Sequence, residues 1–509
     1  MMICMEPKED IPPPPVPPVG GGRGRGLAPA GAFDSWRELA SLTLWRAAAR
    51  RPRPLPPAHK GRGNAFIVSA LLTLAMLISV PAHAAMDVQE VTSPGGIKAW
   101  LVEDHSMPLI AVSVGFRGGS SLDPDGKEGL ARFVSGLLDE GAGDLDSREF
   151  QQRLNDLAID FKFDANIDDF TGSMRTLTET RDQAFELFRL ALTAPRFDPD
   201  PVERIRGQLL AILADESSDP GSIADRVWWH TSFAAHPYGR QTSGTGAGLK
   251  TITVDDLRGF VAGRFARDNL TVGVVGDIGA ADLAPLLDRT FGALPANGTP
   301  AAIDDGAPEA PGSVIVVDRA LPQSVVLFGA PGVKRHDDDF YAAFLLNHIL
   351  GGGGFSSRLM QEVREKRGLA YSIDTSLVTL DHAGLVQGMV GTKNASVSET
   401  IGLIKQEWQH MRDEGPTEAE LADAKLYLTG SYALRFGSTQ AIAGALVGVQ
   451  LENFPPDYFQ KRNSYIEAVT LADVQRVAKT LLDPAKLTFV IVGEPDGITA
   501  TMPTPQGLF

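Results

Sequence analysis

ITVDDLRGFVAGRFARDNLTVGVVGDI, residues 252–278, recurs without a gap as VTLADVQRVAKTLLDPAKLTFVIVGEP, residues 469–495. Each copy predicts a helix that a threonine caps, a short turn, and a β-branched strand that ends at a glycine, Gly276 or Gly493. A helix–strand unit that occurs once late in each half of a chain indicates that the two halves share one architecture.

An earlier pair of segments supports the same division. LLDEGAGDLDSREFQQRLNDLAIDF (137–161) corresponds to ILGGGGFSSRLMQEVREKRGLAYSI (349–373), and both predict a helix, a glycine-containing break, a second helix and a strand. Residues 296–312, which are rich in Pro, Gly, Ala and Asp, are typical of a linker. We therefore expect two homologous α+β domains in tandem, residues 86–295 and 313–500, each a β-sheet backed by helices on one face.

The N-terminal residues predict export. Residues 60–84 have the pattern of a secretory signal peptide: a basic start, an apolar run, and small residues before a cleavage site between Ala84 and Ala85. A membrane anchor is the alternative, but the apolar run is shorter than the ~20 residues that a span needs. Residues 1–59 are interpreted as a disordered extension or as an upstream mis-start of the reading frame. The mature chain is expected in the periplasm or outside the cell, without membrane contact.

Charge and cysteine content exclude several classes of function. The 509 residues include 47 Lys or Arg and 63 Asp or Glu, a net charge of -16, which argues against binding to nucleic acid or anionic lipid. The single cysteine, Cys4, precedes the signal peptide, so the mature chain has neither a disulfide nor a cysteine nucleophile. The sequence also lacks a Gly-x-Ser-x-Gly nucleophile elbow with a placed histidine.

Residues 112–143, VSVGFRGGSSLDPDGKEGLARFVSGLLDEGAG, predict a strand, a Gly-Ser turn, an acidic turn and a buried helix before a glycine-containing break. This order resembles the pitrilysin/insulinase family of zinc metallopeptidases, the inverzincins, which includes the mitochondrial processing peptidase. GGGGFSSRLMQEVREKRGLAYSI (351–373) and HPYGRQTSGT (236–245) are also similar to segments of that family. The resemblance covers residues 87–495 and implies the mitochondrial processing peptidase-like fold.

The resemblance also implies where a zinc site would lie. In the family, one helix carries His-x-x-Glu-His, which places two imidazoles on one face to bind zinc, with the glutamate as general base. Here Arg132, Ser135 and Gly136 occupy those three positions. Because a cation opposes zinc and glycine offers no donor atom, we expect this chain to bind no metal and the zinc to belong to a partner subunit.

The family's third ligand, a glutamate on a later helix, would fall near Ile212. That window is apolar until Asp215 and Glu216, which lie about one turn too far along. The histidines of the mature chain offer no second motif, because no two of them are three or four residues apart. The alternative that remains open is a metal site assembled from residues far apart in sequence.

The second half retains a different part of the family's site. The resemblance implies that an arginine and a tyrosine seven residues apart, here Arg364 and Tyr371 in REKRGLAY, reach over the partner's zinc and bind the carbonyls of the substrate. A guanidinium and a phenol can also donate hydrogen bonds to the oxyanion that forms when water attacks a peptide carbonyl. The alternative is that Arg364 is a solvated helix residue and Tyr371 a core aromatic of a strand.

Gly351, Gly352, Gly353 and Gly354 have two interpretations. Consecutive backbone N–H groups make anion nests, but this run follows a helix and lacks the Gly-Lys-Ser/Thr ending of a phosphate loop, so helix termination explains it better. The resemblance to the non-catalytic subunit of the mitochondrial processing peptidase implies a third role, substrate binding.

These residues lead to a hypothesis of function. We expect a non-catalytic subunit that pairs with a homologous zinc-bearing subunit to form a periplasmic heteromeric peptidase, with extended peptide substrates added to an exposed sheet edge. The degenerate helix would persist because Leu130 and Phe133 belong to the core whether or not zinc is bound. The alternatives are a non-proteolytic scaffold, like the related core subunits of respiratory complexes, and a self-sufficient metalloendopeptidase.

Overall fold

A computed structural model describes residues 86–299 and 302–508. The predicted extension, residues 1–59, and the predicted signal peptide, residues 60–84, lie outside the described residues. Within those two described ranges, no helix has the length and apolar character that crossing a membrane requires.

Two β-sheets organise the described chain. Their strands are β1 (Gln89–Thr92), β2 (Lys98–Glu103), β3 (Leu109–Arg117), β4 (Asp160–Ala165), β5 (Asp169–Leu177), β6 (Leu270–Gly276), β7 (Val314–Asp318), β8 (Gln323–Pro331), β9 (Ala370–Thr379), β10 (Gly384–Lys393) and β11 (Thr488–Gly493). The first sheet has the order β1-β2-β6-β3-β5-β4 and the second the order β7-β11-β8-β10-β9.

The two sheets repeat one topology. β2 pairs with β6 in parallel, and β7 pairs with β11 in parallel, while every other pair of neighbours is antiparallel. The order β2-β6-β3-β5-β4 therefore corresponds strand by strand to β7-β11-β8-β10-β9, with β1 added at the edge of the first sheet.

Helices connect and cover the strands. They are α1 (Leu130–Ser135), α2 (Ser147–Asp156), α3 (Arg181–Thr193), α4 (Pro199–Glu216), α5 (Pro220–Ser232), α6 (Gly246–Thr251), α7 (Val254–Arg264), α8 (Ala280–Phe291), α9 (Phe340–Asn347), α10 (Val397–Glu414), α11 (Glu418–Gly430), α12 (Thr439–Leu451), α13 (Tyr458–Ala468) and α14 (Leu471–Leu481). Thr253 and Thr470 cap α7 and α14, and in each cap an aspartate in the first turn hydrogen-bonds back to the threonine.

One face of each sheet packs against helices of its own half. Phe116, Phe133 and Phe188 are fully buried on the first sheet, and Phe328 and Trp408 on the second. Burying one large apolar side chain contributes ~1.5–3 kcal/mol. These clusters therefore stabilise the packing of the helices on the sheets. The expected α+β fold of two sheets backed by helices is confirmed.

The other face of each sheet is covered by a helix from the opposite half, which the sequence did not predict. Helix α5 of the first half packs on the second sheet, and α12 of the second half packs on the first sheet. Glycines in the strands permit this approach: a Cβ at Gly329 would lie 2.5 Å from the Trp228 ring, and one at Gly273 would lie 2.6 Å from the carbonyl oxygen of Ala443. The two halves are therefore interlocked by a reciprocal exchange of helices.

Candidate functional site

The degenerate helix α1 begins at a buried acidic cap. Its first turn follows Gly129, whose φ of 96° is in the left-handed region, and the Asp123 carboxylate accepts the backbone N–H groups of Gly129 and Ala131 at 2.9 and 3.1 Å. Burial raises the pKa of Asp123 to about 7. The acidic turn noted in the sequence therefore fixes where α1 starts.

The three positions that correspond to the zinc motif are all occupied by structural contacts. Arg132, only 5% exposed, donates from Nη1 to the Asp164 carboxylate at 2.7 Å on strand β4. The Ser135 hydroxyl donates to the backbone carbonyl of Arg132 at 2.8 Å. A Cβ at Gly136 would lie 3.0 Å from a methyl group of Ile205 on α4. A guanidinium, a satisfied hydroxyl and a packed glycine do not fit a zinc ion.

Glu216 lies about one turn beyond the position expected for the third zinc ligand, and the sequence did not identify it as part of the site. It ends α4, is 9% exposed, and accepts a hydrogen bond of 2.9 Å from Ser243. Its carboxylate lies 3.6 Å from Nη2 of Arg226 on α5. Burial raises the pKa of Glu216, while the charges of Arg226 and Arg132 oppose that rise. An acid one turn beyond the expected position thus comes within electrostatic reach of α1.

The signal that could have identified Glu216 is its helical spacing. Ile212 and Glu216 are four residues apart on α4 and therefore share a face. The cluster is nevertheless ionic rather than metal-binding, because Arg132 holds the position of the first histidine and Arg226 lies 3.6 Å from the Glu216 carboxylate. Across residues 86–299 and 302–508, no three or more His, Cys, Asp or Glu side chains are grouped so that they could hold a metal ion.

Arg364 and Tyr371 are brought together. Arg364 lies on the helical turn Met360–Glu365, and Tyr371 is the second residue of β9. The guanidinium carbon lies 5.2 Å from the centroid of the Tyr371 ring and 4.5 Å from that of Phe355. Tyr371 is 84% exposed and Phe355 63% exposed, so Tyr371 is not a core aromatic. Phe355 was not identified from the sequence.

These ring contacts order the arginine. An exposed cation–π contact contributes ~0.5–1 kcal/mol, so the two rings together offset much of the ~2 kcal/mol of rotamer entropy that an ordered arginine loses. The closest carboxylate is that of Glu365, 3.6 Å from Nε. The Arg364 side chain, which is 26% exposed, therefore lies beside two exposed aromatic rings.

The glycine run is explained mainly by close packing. A Cβ at Gly351 would lie 2.3 Å from the Thr375 hydroxyl on β9, and those at Gly352 and Gly353 would lie within 2.8 Å of α9 and the turn that follows it. Gly354 has open space around it but a φ of 59°, which only glycine adopts at little cost. The run completes the π-helical turn His348–Gly352 that follows α9, beside β9, and delivers the next residue, Phe355, to the surface.

Each sheet has an edge strand near one of these features. β4 ends the first sheet and contributes Asp164, the partner of Arg132 on α1, while β9 ends the second sheet and carries Tyr371. The Thr375 carbonyl of β9 already accepts a hydrogen bond of 3.2 Å from the Asn347 side chain. An edge strand is the place where a further strand can be added to a sheet.

Comparisons with known proteins agree with this geometry. A profile of the family described as "Peptidase M16 inactive domain" matches residues 251–428. The non-peptidase homologue YmxG of Helicobacter pylori is 27% identical over 430 residues, which cover 84% of this chain and 98% of that protein. A protein named an uncharacterized zinc protease in Streptomyces coelicolor is 27% identical over 416 residues, or 79% and 88% of the two chains.

A solved structure adds the fold. The crystal structure of a peptidase M16 inactive domain from Pseudomonas fluorescens superimposes with a TM-score of 0.75 at 29% identity, over 82% of this chain and all of that one. The similarity therefore extends across both described halves rather than over one motif.

Proposed function

The chain belongs to the peptidase M16 family, the pitrilysin/insulinase-like proteins, as an inactive homologue, and we propose that it is the substrate-binding subunit of a heteromeric periplasmic peptidase. In this proposal a zinc-bearing M16 homologue supplies the metal site. The present chain supplies Arg364 and Tyr371, which bind the peptide carbonyl and stabilise the oxyanion.

The observation that supports this role is the pairing of Arg364 with Tyr371 on an exposed surface. The guanidinium carbon lies 5.2 Å from the centroid of the Tyr371 ring. In this proposal the N–H groups of Arg364 and the hydroxyl of Tyr371 bind the same carbonyl region. Donors held in place before the reaction stabilise developing negative charge without reorganisation. The partner's zinc would supply the activated water.

The edge strands β4 and β9 support a mode of peptide binding. A peptide added as a strand at β4 or β9 would gain main-chain hydrogen bonds and need little sequence specificity. β4 exposes Asp160 and Lys162 while burying Phe161 and Phe163, so one side of this edge is solvated. We propose that the substrate is an extended or unfolded peptide segment.

A second candidate is a non-proteolytic scaffold or binding subunit. The name of the Helicobacter pylori relative, a non-peptidase homologue, favours it. A scaffold has no need of an oxyanion-binding pair, so the two candidates differ in what Arg364 does.

The experiment is a reconstitution. Mature chain is mixed with the zinc-bearing M16 homologue of the same organism, and cleavage of quenched fluorescent peptides is measured for each protein alone and for the mixture. Activity that appears or rises only in the mixture supports the proposed function. Equal activity of the homologue with and without this chain contradicts it.

Mass spectrometry of the mature N-terminus in the periplasmic fraction tests the proposed cleavage between Ala84 and Ala85.

A further inference from the structure

Phe355 is a large, exposed aromatic side chain. It is 63% exposed, and its ring contacts Arg364, with 4.5 Å between the ring centroid and the guanidinium carbon. A ring in that position adds little to the core of the second domain. Its placement is better explained by what it does to the arginine.

The backbone that presents Phe355 is firmly held. The side-chain amide of Gln361 donates to the Phe355 carbonyl at 2.7 Å. The hydroxyls of Ser356 and Ser357 donate to the carbonyls of Gly353 and Gly354 at 2.9 and 2.8 Å. Together with the positive φ of Gly354, these bonds define a short, pinned turn, so the ring is delivered at one place relative to Arg364.

We infer that Phe355 is a positioning residue, which with Tyr371 holds the guanidinium of Arg364 in the orientation that binds the substrate carbonyl. The inference rests on the proposed function for its effect on catalysis. It also gives the glycine run a specific role: Gly354 provides the left-handed turn that carries Phe355 to the arginine. Phe355 itself makes no bond to the reacting atoms.

Three substitutions separate this role from simpler ones. Phe355→Tyr keeps an aromatic ring, and Phe355→Leu keeps apolar bulk but removes the ring. Leu426→Ala removes another exposed apolar side chain of the same domain. In the reconstituted complex, we expect Phe355→Leu to lower kcat by ~2- to 5-fold with KM nearly unchanged, because it removes one cation–π contact. Phe355→Tyr and Leu426→Ala should retain wild-type kcat.

A double-mutant cycle shows whether Phe355 acts through Arg364. In the Arg364→Ala background, Phe355→Leu should cause no further loss of activity. A full additional loss in that background, or a rise in KM with kcat unchanged, would mean that Phe355 contacts the peptide directly, and the inference would be wrong. Wild-type kinetics in Phe355→Leu would overturn it as well.

A second measurement needs no partner and no substrate. In the isolated ¹⁵N-labelled chain, the Nε–H resonance of Arg364, assigned by its absence in Arg364→Ala, should shift in Phe355→Leu and stay near its wild-type position in Phe355→Tyr. An unchanged resonance in Phe355→Leu would mean that Phe355 does not position Arg364, and the inference would be wrong. If Arg364→Ala leaves the complex fully active, the proposed function fails, while this resonance still decides whether Phe355 holds the arginine.

Discussion

The guanidinium of Arg132 donates a hydrogen bond of 2.7 Å to the carboxylate of Asp164, at the helix position where zinc-binding relatives of the family have their first histidine. Arg132 is buried, whereas the Asp164 side chain is 37% exposed. A fixed cation thus occupies the place of a metal ligand, and the helix that carries it remains part of the core.

Removing this cation should destabilise the fold. Arg132→Ala would leave Asp164 without its partner and Glu216 with one fewer opposing charge. Because solvent screens the exposed carboxylate, we expect a loss of about 1–2 kcal/mol rather than the larger cost of a fully buried pair. Urea unfolding measures it. The exposed Arg258→Ala is the control, and an equal effect of the two substitutions would argue against a structural role for Arg132.

The mature chain should not require zinc. After dialysis against a zinc buffer, we expect well under ~0.1 zinc per chain. EDTA destabilises a protein whose fold depends on a bound metal. Because this chain is expected to bind none, EDTA should leave its unfolding midpoint unchanged. Metal analysis by mass spectrometry provides the reading, and the zinc-bearing homologue treated in parallel is the positive control. One tightly held zinc per chain would mean that distant residues form a site.

Tyr371→Phe tests the phenol hydroxyl by itself. The ring would still lie beside Arg364, and a side chain that is 84% exposed contributes little to stability. We expect the kcat of the reconstituted complex to fall by about 10²-fold, as for the loss of one oxyanion donor. The melting temperature should not change. Undiminished kcat would remove Tyr371 from the catalytic group.

Asp123 should make stability depend on pH. Its pKa in the folded chain, about 7, lies above the ordinary value of 3.8, so the folded state binds this proton more tightly than the unfolded state does. The contribution of Asp123 to stability is therefore full below about pH 4 and is lost as the pH rises through about 7.

The substitution Asp123→Asn isolates that contribution, since the amide cannot ionise and its carbonyl can still accept a backbone N–H at the start of α1. Compared with wild type, the variant should gain free energy of unfolding between about pH 5 and about pH 8. Guanidinium unfolding at both pH values measures the difference. If the free energy of unfolding of the variant minus that of wild type stays constant or falls as the pH rises, the raised pKa of Asp123 is contradicted.

Local patterns in the sequence predicted much of the fold. The threonine caps at Thr253 and Thr470 and the strands that follow them could be predicted because side-chain caps and β-branched runs act within a few residues. The exchange of α5 and α12 could not, since an amphipathic helix shows that it is buried but not which sheet buries it. Gly329 and Gly273 permit the close approach of these helices, but that role becomes visible only when the packing is known.

The candidate site was predicted in part for the same reason. Arg364 and Tyr371 are seven residues apart within one recognisable motif, so the sequence could predict that they lie close together. Phe355 lies nine residues before Arg364, across a turn whose shape depends on Gly354 and on hydrogen bonds from Ser356 and Gln361. Its contact with the arginine is therefore a property of the folded turn.

The measurement that tests the account most directly is the kcat of the reconstituted peptidase with Arg364→Ala in this chain, compared with Arg258→Ala as a matched surface arginine. We expect Arg364→Ala to form the complex normally and to lose at least about 10²-fold in kcat, with Arg258→Ala at the wild-type level. Full activity in an intact Arg364→Ala complex would contradict the account and leave this chain a scaffold.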